Sequence, residues 1–170
     1  MMLETYIDLL DLCYFEVTEA FKDHADENVW KRPHDGLLSV GELAGHIAYG
    51  EASRFAGDAP DGSCDRELTN SRIKSPLLDP RFRYYSVTRD ILPTDEQRQL
   101  TAAQVESELI RIHNECMEFL RAYNPDLESN APHWGSTYKE LLKYLVFHIS
   151  YHTGQMYSVR HLLGEETPDN

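Results

Sequence analysis

His148 and His152 stand four residues apart in VFHISYHTGQM, a spacing that sets two imidazoles on one side of a helix, a turn apart and within reach of a shared metal ion. The residues around them read as an amphipathic helix. Leu141, Leu142, Leu145, Ile149, Met156, Val159 and Leu163 recur at helical intervals, and both histidines fall inside that apolar stripe. Imidazole is a costly core filler, because each ring carries two polar nitrogens that lose water on burial. One reading is a pair of core histidines, each bonded to a backbone carbonyl or a buried carboxylate. The other is a shared cation, which satisfies both rings at once. His46, in SVGELAGHIAYG, borders the apolar face of another helix-like segment, three residues after Leu43 and one before Ile47. Taken alone it reads as a hydrogen-bonded histidine at a helix interface. Brought up to the other two, it completes a three-nitrogen metal site with one coordination position open.

Positioning these rings falls to four helical segments. The first runs from about Leu3 to Lys22, with Ile7, Leu10, Tyr14, Val17 and Phe21 on one seam. Ser39 and Glu42 form an S-x-x-E capping box that opens a second helix, expected to run through Ala56 and close at Gly57. Thr101 and Gln104 repeat the arrangement ahead of Val105, Leu109, Ile112, Cys116, Phe119 and Leu120, and Thr137 and Glu140 do so ahead of the last helix, which ends at Gly164. No β-hairpin signature competes with this pattern. Residues 57–100 make a long connection carrying Pro60, Pro76, Pro80 and Pro93 and the aromatic run FRYY at Phe82–Tyr85. A connection of that length carries local structure or covers a site, so short helical or extended pieces are expected. In a four-helix bundle it takes the chain from one end to the other, so the helices it joins need not be antiparallel. The tail EETPDN is polar and expected to fray.

The totals narrow the partners. At 170 residues, 41% of them hydrophobic, the chain fits a single domain spanning 1–170 with an independent core. A net charge of −13, from 16 Lys and Arg against 29 Asp and Glu, opposes nucleic acid and anionic membrane surfaces. The local basic stretches, Arg72–Lys74 and the arginines from Arg81 to Arg89, read as solvated loop. No apolar run approaches the roughly 20 residues of a membrane span. MMLETYIDLLDLCYFEV lacks the basic start and cleavage site of a signal peptide, so a cytoplasmic protein is expected. Cys13, Cys64 and Cys116 form no C-x-x-C and no disulfide framework; Cys13 and Cys116 lie on apolar stripes and are expected to be buried thiols.

SVGELAGHIAYGEASRF, preceded by VWKRPHDG, and FHISYHTGQMYSVRHLLG together resemble the DinB-like metalloprotein superfamily of damage-inducible or YfiT-like four-helix bundles. The likeness rests on a histidine in the second helix after S-x-x-E-L-x-x-H and on H-x-x-x-H-x-G-Q in the last, here His46, then His148, His152, Gly154 and Gln155. It implies an all-α four-helix bundle with a long crossover between helices two and three. It also implies a divalent metal, nickel or zinc, held by His46, His148 and His152, and a homodimer. Members similar to this chain include thiol-dependent transferases and isomerases. The functional expectation is therefore a metal-dependent enzyme acting on a small molecule, either a hydrolase or an S-transferase using a low-molecular-weight thiol. The alternative is a non-catalytic metal-binding or stress-response bundle. No residue stands out as a catalytic acid or base.

Helical angles of about 100° per residue put Glu42 about 40° and Ser53 about 20° from His46, with Glu51 about 140° away and so facing elsewhere. Gln155, about 60° from His152 on the same reckoning, is placed either to hydrogen-bond a ligand or water or to tie the last helix to a neighbour, and the structural role is slightly favoured. Tyr14, Tyr49 and Tyr151 are candidate pocket walls. His24, His34, His113, His133 and His161 are expected to be solvated.

Overall fold

The computed structural model describes residues 2–55, 68–69, 71–83, 91–132 and 134–168. Four long helices form the fold: α1 (Leu3–Phe21), α2 (Val40–Phe55), α4 (Ala102–Tyr123) and α5 (Tyr138–Leu162), with a one-turn α3 (Asp95–Arg98) and a 3-10 turn at Pro80–Phe82 between α2 and α4. The expected short pieces of the crossover are therefore present. The expected stop of α2 at Ala56–Gly57 lies outside the described residues.

The apolar stripes read from the sequence are the core. Ile7, Leu10, Tyr14, Val17 and Phe21 of α1 are buried, as are Val105, Leu109, Ile112, Cys116 and Leu120 of α4 and Leu141, Leu142, Leu145, Ile149 and Met156 of α5. Each such aliphatic side chain contributes about 1.5–3 kcal/mol by leaving water. The boxes at Ser39–Glu42 and Thr101–Gln104 are reciprocal, side chain to backbone in both directions. At Thr137 half of the box forms: the Thr137 hydroxyl accepts from Glu140 N–H, while the Glu140 carboxylate turns to Lys143. A fourth box, Thr94–Gln97, opens α3.

Each helix packs on two neighbours. α1 lies against α4 and α5, and α2 against α4 and α5, so α1 faces α2 across a diagonal. Cross-helix contacts give the directions. Glu4 reaches Arg121 and Asp11 reaches His113, so α1 and α4 are antiparallel. Cys13 meets Ser150 and Ala20 meets Arg160, so α1 and α5 are parallel. Glu51 meets His113 in α4, and past the ends of the two helices Trp30, beside Gly41, bonds the Leu100 carbonyl; α2 and α4 are parallel. Two parallel neighbours cannot be joined by a tight turn, which is why the chain spends residues 56–101 returning to the other end.

The glycines of α2 each admit a ring. A Cβ at Gly41 would lie 2.6 Å from Trp30, one at Gly45 2.6 Å from Phe82, and one at Gly50 3.2 Å from His148 Cε1. Glycine costs a helix about 1 kcal/mol against alanine; close approach offsets that cost here.

The tail departs from expectation. Arg160, 1% exposed, donates to the Ala20 and Lys22 carbonyls at the end of α1, to the Glu166 carbonyl and to the Glu165 carboxylate. α1 has no basic residue in its own last turn, so this guanidinium from α5 satisfies its orphan carbonyls. Glu165 also binds His24 and Asn28, and Thr167 is buried; residues 165–167 are pinned rather than frayed.

Candidate metal centre

His46 on α2 meets His148 and His152 on α5 at ring-centroid distances of 5.0 and 4.7 Å, and the α5 pair are 4.5 Å apart. One nitrogen from each lies within 4.8 Å of the others, so the three could hold a metal ion. The Nε2 atoms of His46 and His148 are 3.1 Å apart. Three nitrogens about 2.0–2.1 Å from a tetrahedral ion lie about 3.4 Å from one another, inside that range.

Two of the rings are aimed by their outer nitrogens. His46 Nδ1 donates to the Phe82 carbonyl at 2.7 Å. Phe82 is fixed in turn by the 3-10 turn, whose Asp79 side chain caps Arg81 N–H, and by its ring against Gly45. His152 Nδ1 donates to Gln155 Oε1 at 2.6 Å, so Gln155 orients a candidate ligand instead of tying α5 to a neighbour. Such bonds fix tautomer and ring angle. His148 stacks on Tyr144 at 5.5 Å and its Nδ1 is buried with no hydrogen-bond partner among the described residues.

The donor chemistry fits a cation. With Nδ1 protonated on His46 and His152, both rings present Nε2 as an acceptor, and the His148 ring can offer one proton between them. A cation taken by all three lone pairs removes that mismatch. Burial pushes His148 down to about 3, with His152, His46 and Arg54 adding to the shift. Burial and the neighbouring His46 take His152 down to about 4 against the bond to Gln155. Burial also lowers His46. All three are uncharged at neutral pH, the form that ligates metal.

The other sequence candidates sort differently. Glu42, although close to His46 in helical angle, is held by the α2 cap and a two-pronged Arg32 pair. Ser53 donates to the Gly50 carbonyl and accepts from Arg54. Tyr151 packs edge-on against His152, whereas Tyr14 is engaged elsewhere and Tyr49 is buried. His34 and His161 are exposed, as expected, and His133 and Cys64 lie outside the described residues. Cys13 and Cys116 are free and buried.

His113 and His24 overturn the expectation of solvated rings. His113, 2% exposed, bonds Glu51 through Nδ1 and Asp11 through Nε2 and stacks on Tyr14 at 3.7 Å. Tyr14 donates to the same fully buried Glu51. Periodicity carried the signal: His113 stands four after Leu109 and three before Cys116, and Glu51 stands four after Ile47 and four before Phe55. His24 is buried against Glu165, a contact between turn and tail with no periodic signature.

No helix among the described residues is long and apolar enough to cross a membrane. Comparison with curated proteins and with solved structures returns no match. A family model described as the DinB superfamily matches residues 9–156.

Proposed function

Because the chain belongs to the DinB superfamily, we propose that His46, His148 and His152 hold one divalent ion and that the protein is a metal-dependent enzyme acting on a small molecule. The observation that carries this reading is the convergence of three uncharged imidazoles, two of them with Nδ1 tied to a carbonyl or amide oxygen. The ion is nickel or zinc, both of which imidazole ligands suit. Bound there, the ion supplies Lewis acidity at its open position and lowers the pKa of a thiol or water that reaches it.

Transfer of a low-molecular-weight thiol to an electrophile is better supported than hydrolysis. Hydrolysis calls for a carboxylate or histidine placed to take a proton from water, and the two carboxylates of the α2 core face are committed elsewhere, Glu42 to Arg32 and Glu51 to Tyr14 and His113. The chain's own residues orient the donor nitrogens through the Phe82 carbonyl and Gln155. Free thiols at Cys13 and Cys116 suit a reducing, cytoplasmic setting. The exposed Leu9, Leu12 and Phe15 of α1 and Phe147 and Tyr151 of α5 support self-association as a homodimer.

Elemental analysis of protein purified without a histidine tag tests the site. We expect about one divalent ion per chain, lost in His148→Ala; unchanged metal content in that variant overturns the assignment. Chlorodinitrobenzene consumption that requires an added thiol supports transfer, and thiol-independent cleavage of a nitrophenyl ester supports hydrolysis. Stoichiometric metal with neither activity returns the non-catalytic reading.

A further inference from the structure

The two candidate ligands of α5 are held in different ways. His152 Nδ1 donates to Gln155 Oε1 at 2.6 Å. Gln155 Nε2 donates in turn to the Tyr151 hydroxyl at 3.4 Å, and the Tyr151 ring meets the His152 ring edge-on at 5.1 Å. All three residues belong to α5, so this relay is set by the turns that carry it and not by how the bundle closes. His148, one turn earlier, lacks such support: its Nδ1 is buried with no hydrogen-bond partner among the described residues. An amide has one accepting and one donating end, and the end turned to an imidazole chooses the tautomer. With Oε1 on Nδ1, the ring proton stays on Nδ1 and the Nε2 lone pair is free for an ion. With the amide reversed, the proton moves to Nε2 and the ligand is lost. The Tyr151 hydroxyl occupies the donating end and so completes the first arrangement.

The acceptor is also uncharged. Metal-bound histidines lean on a carboxylate, a backbone carbonyl or water. Here His152 leans on an amide and His46 on the Phe82 carbonyl, while Glu42 and Glu51, the buried carboxylates of α2, are bonded to Arg32 and to Tyr14 and His113. A carboxylate behind the ring draws on its proton and passes negative charge to the ligand, whereas an amide aims the ring and adds none. Neutral imidazoles aimed in this way leave a divalent ion its charge, and its open position then favours an anion, such as a thiolate, over a neutral ligand. Resting on the metal-site reading above, we propose that Gln155 is a positioning residue with two effects. It fixes His152 as an Nε2 ligand, and, as an amide in place of a carboxylate, it tunes the open position toward anionic sulfur ligands.

Cobalt-loaded protein reports both effects in its visible spectrum without reference to turnover. Cobalt affinity is measured by competition with a chelator, and the open position is probed with thiocyanate, an anion, and with pyridine, which is neutral. Gln155→Leu is expected to loosen cobalt about ten- to hundredfold. Gln155→Glu restores an acceptor, so it binds cobalt at least as tightly as the wild type, but weakens thiocyanate about tenfold while leaving pyridine little changed. Cobalt held as tightly in Gln155→Leu as in the wild type, or lost as severely in Gln155→Glu as in Gln155→Leu, overturns the positioning role. An unchanged ratio of thiocyanate to pyridine affinity in Gln155→Glu, or a wild type that binds neither probe, overturns the tuning; in all these cases the metal site stands. Failure of the wild type to load cobalt removes the metal reading and this proposal with it. If Gln155→Leu does not fold, as judged by its helical circular dichroism, Gln155→Met is measured against the same criteria.

Discussion

Histidine does two different jobs in this core, and the neighbours of each ring decide which. His46, His148 and His152 have carbonyl, amide or aromatic neighbours, so burial wins and they stay neutral. At His113 burial also opposes the charge, but the carboxylates of Glu51 and Asp11, one on each nitrogen, outweigh it and raise the pKa above the ordinary 6.5. A histidine whose pKa is raised in the fold stabilises fully below its unfolded value and loses that contribution as pH climbs through the folded one. The stability gap between wild type and His113→Gln, measured by urea unfolding, is therefore expected to be wide near pH 6.5 and to shrink as pH rises beyond it. A gap that stays level or widens from there upward contradicts the imidazolium assignment.

At the scale of the helix, α2 is built around what touches its backbone. Gly45 admits the Phe82 ring, and the carbonyl of that same residue aims His46. Gly45→Ala raises intrinsic helix propensity by about 1 kcal/mol, and on propensity alone should stabilise. The new Cβ would stand 2.6 Å from the Phe82 ring, so Phe82 must move. The expected outcome is a lower Tm together with metal affinity weakened about tenfold or more, the usual consequence of losing a group that orients a ligand. Isothermal titration with zinc and a thermal melt check both, and a higher Tm with unchanged affinity would show that the contact yields freely.

For the whole molecule, the parallel pairing of α1 with α5 leaves an apolar outer surface. Leu9 and Leu12 border a groove of about 460 Å³ between the two helices, with Phe15, Phe147 and Tyr151 also exposed on them. Surface of this kind marks an interaction site more often than bare solvent contact. Phe15→Glu is expected to shift the protein from dimer to monomer in analytical ultracentrifugation while leaving metal content unchanged, since Phe15 points outward and the site lies on the α2 side of α5. A wild type that sediments as a monomer at all concentrations removes the dimer from the proposal.

Local patterning was enough to mark the four long helices, three of their start signals, the buried stripes and the two α5 ligand candidates, because helix period and capping act over neighbours within a turn or two. The histidine pair could be read from its stripe for the same reason. His46, which taken alone reads as an interface histidine, is assigned as a ligand by family resemblance, and its closeness to His148 depends on α2 crossing α5 at that level, a long-range fact. The role of Phe82 and the seating of Arg54 over Trp134 belong to tertiary structure too. Phe82 comes from a crossover with no periodicity, and Trp134 is 80 residues from Arg54 in the chain. Glu51 and His113 stand at core spacings within apolar stripes, a signal the reading of His113 as solvated passed over; that they meet one another, with Asp11 and Tyr14 beside them, follows only from packing three helices together, because no single helix supplies the partners a buried charge requires.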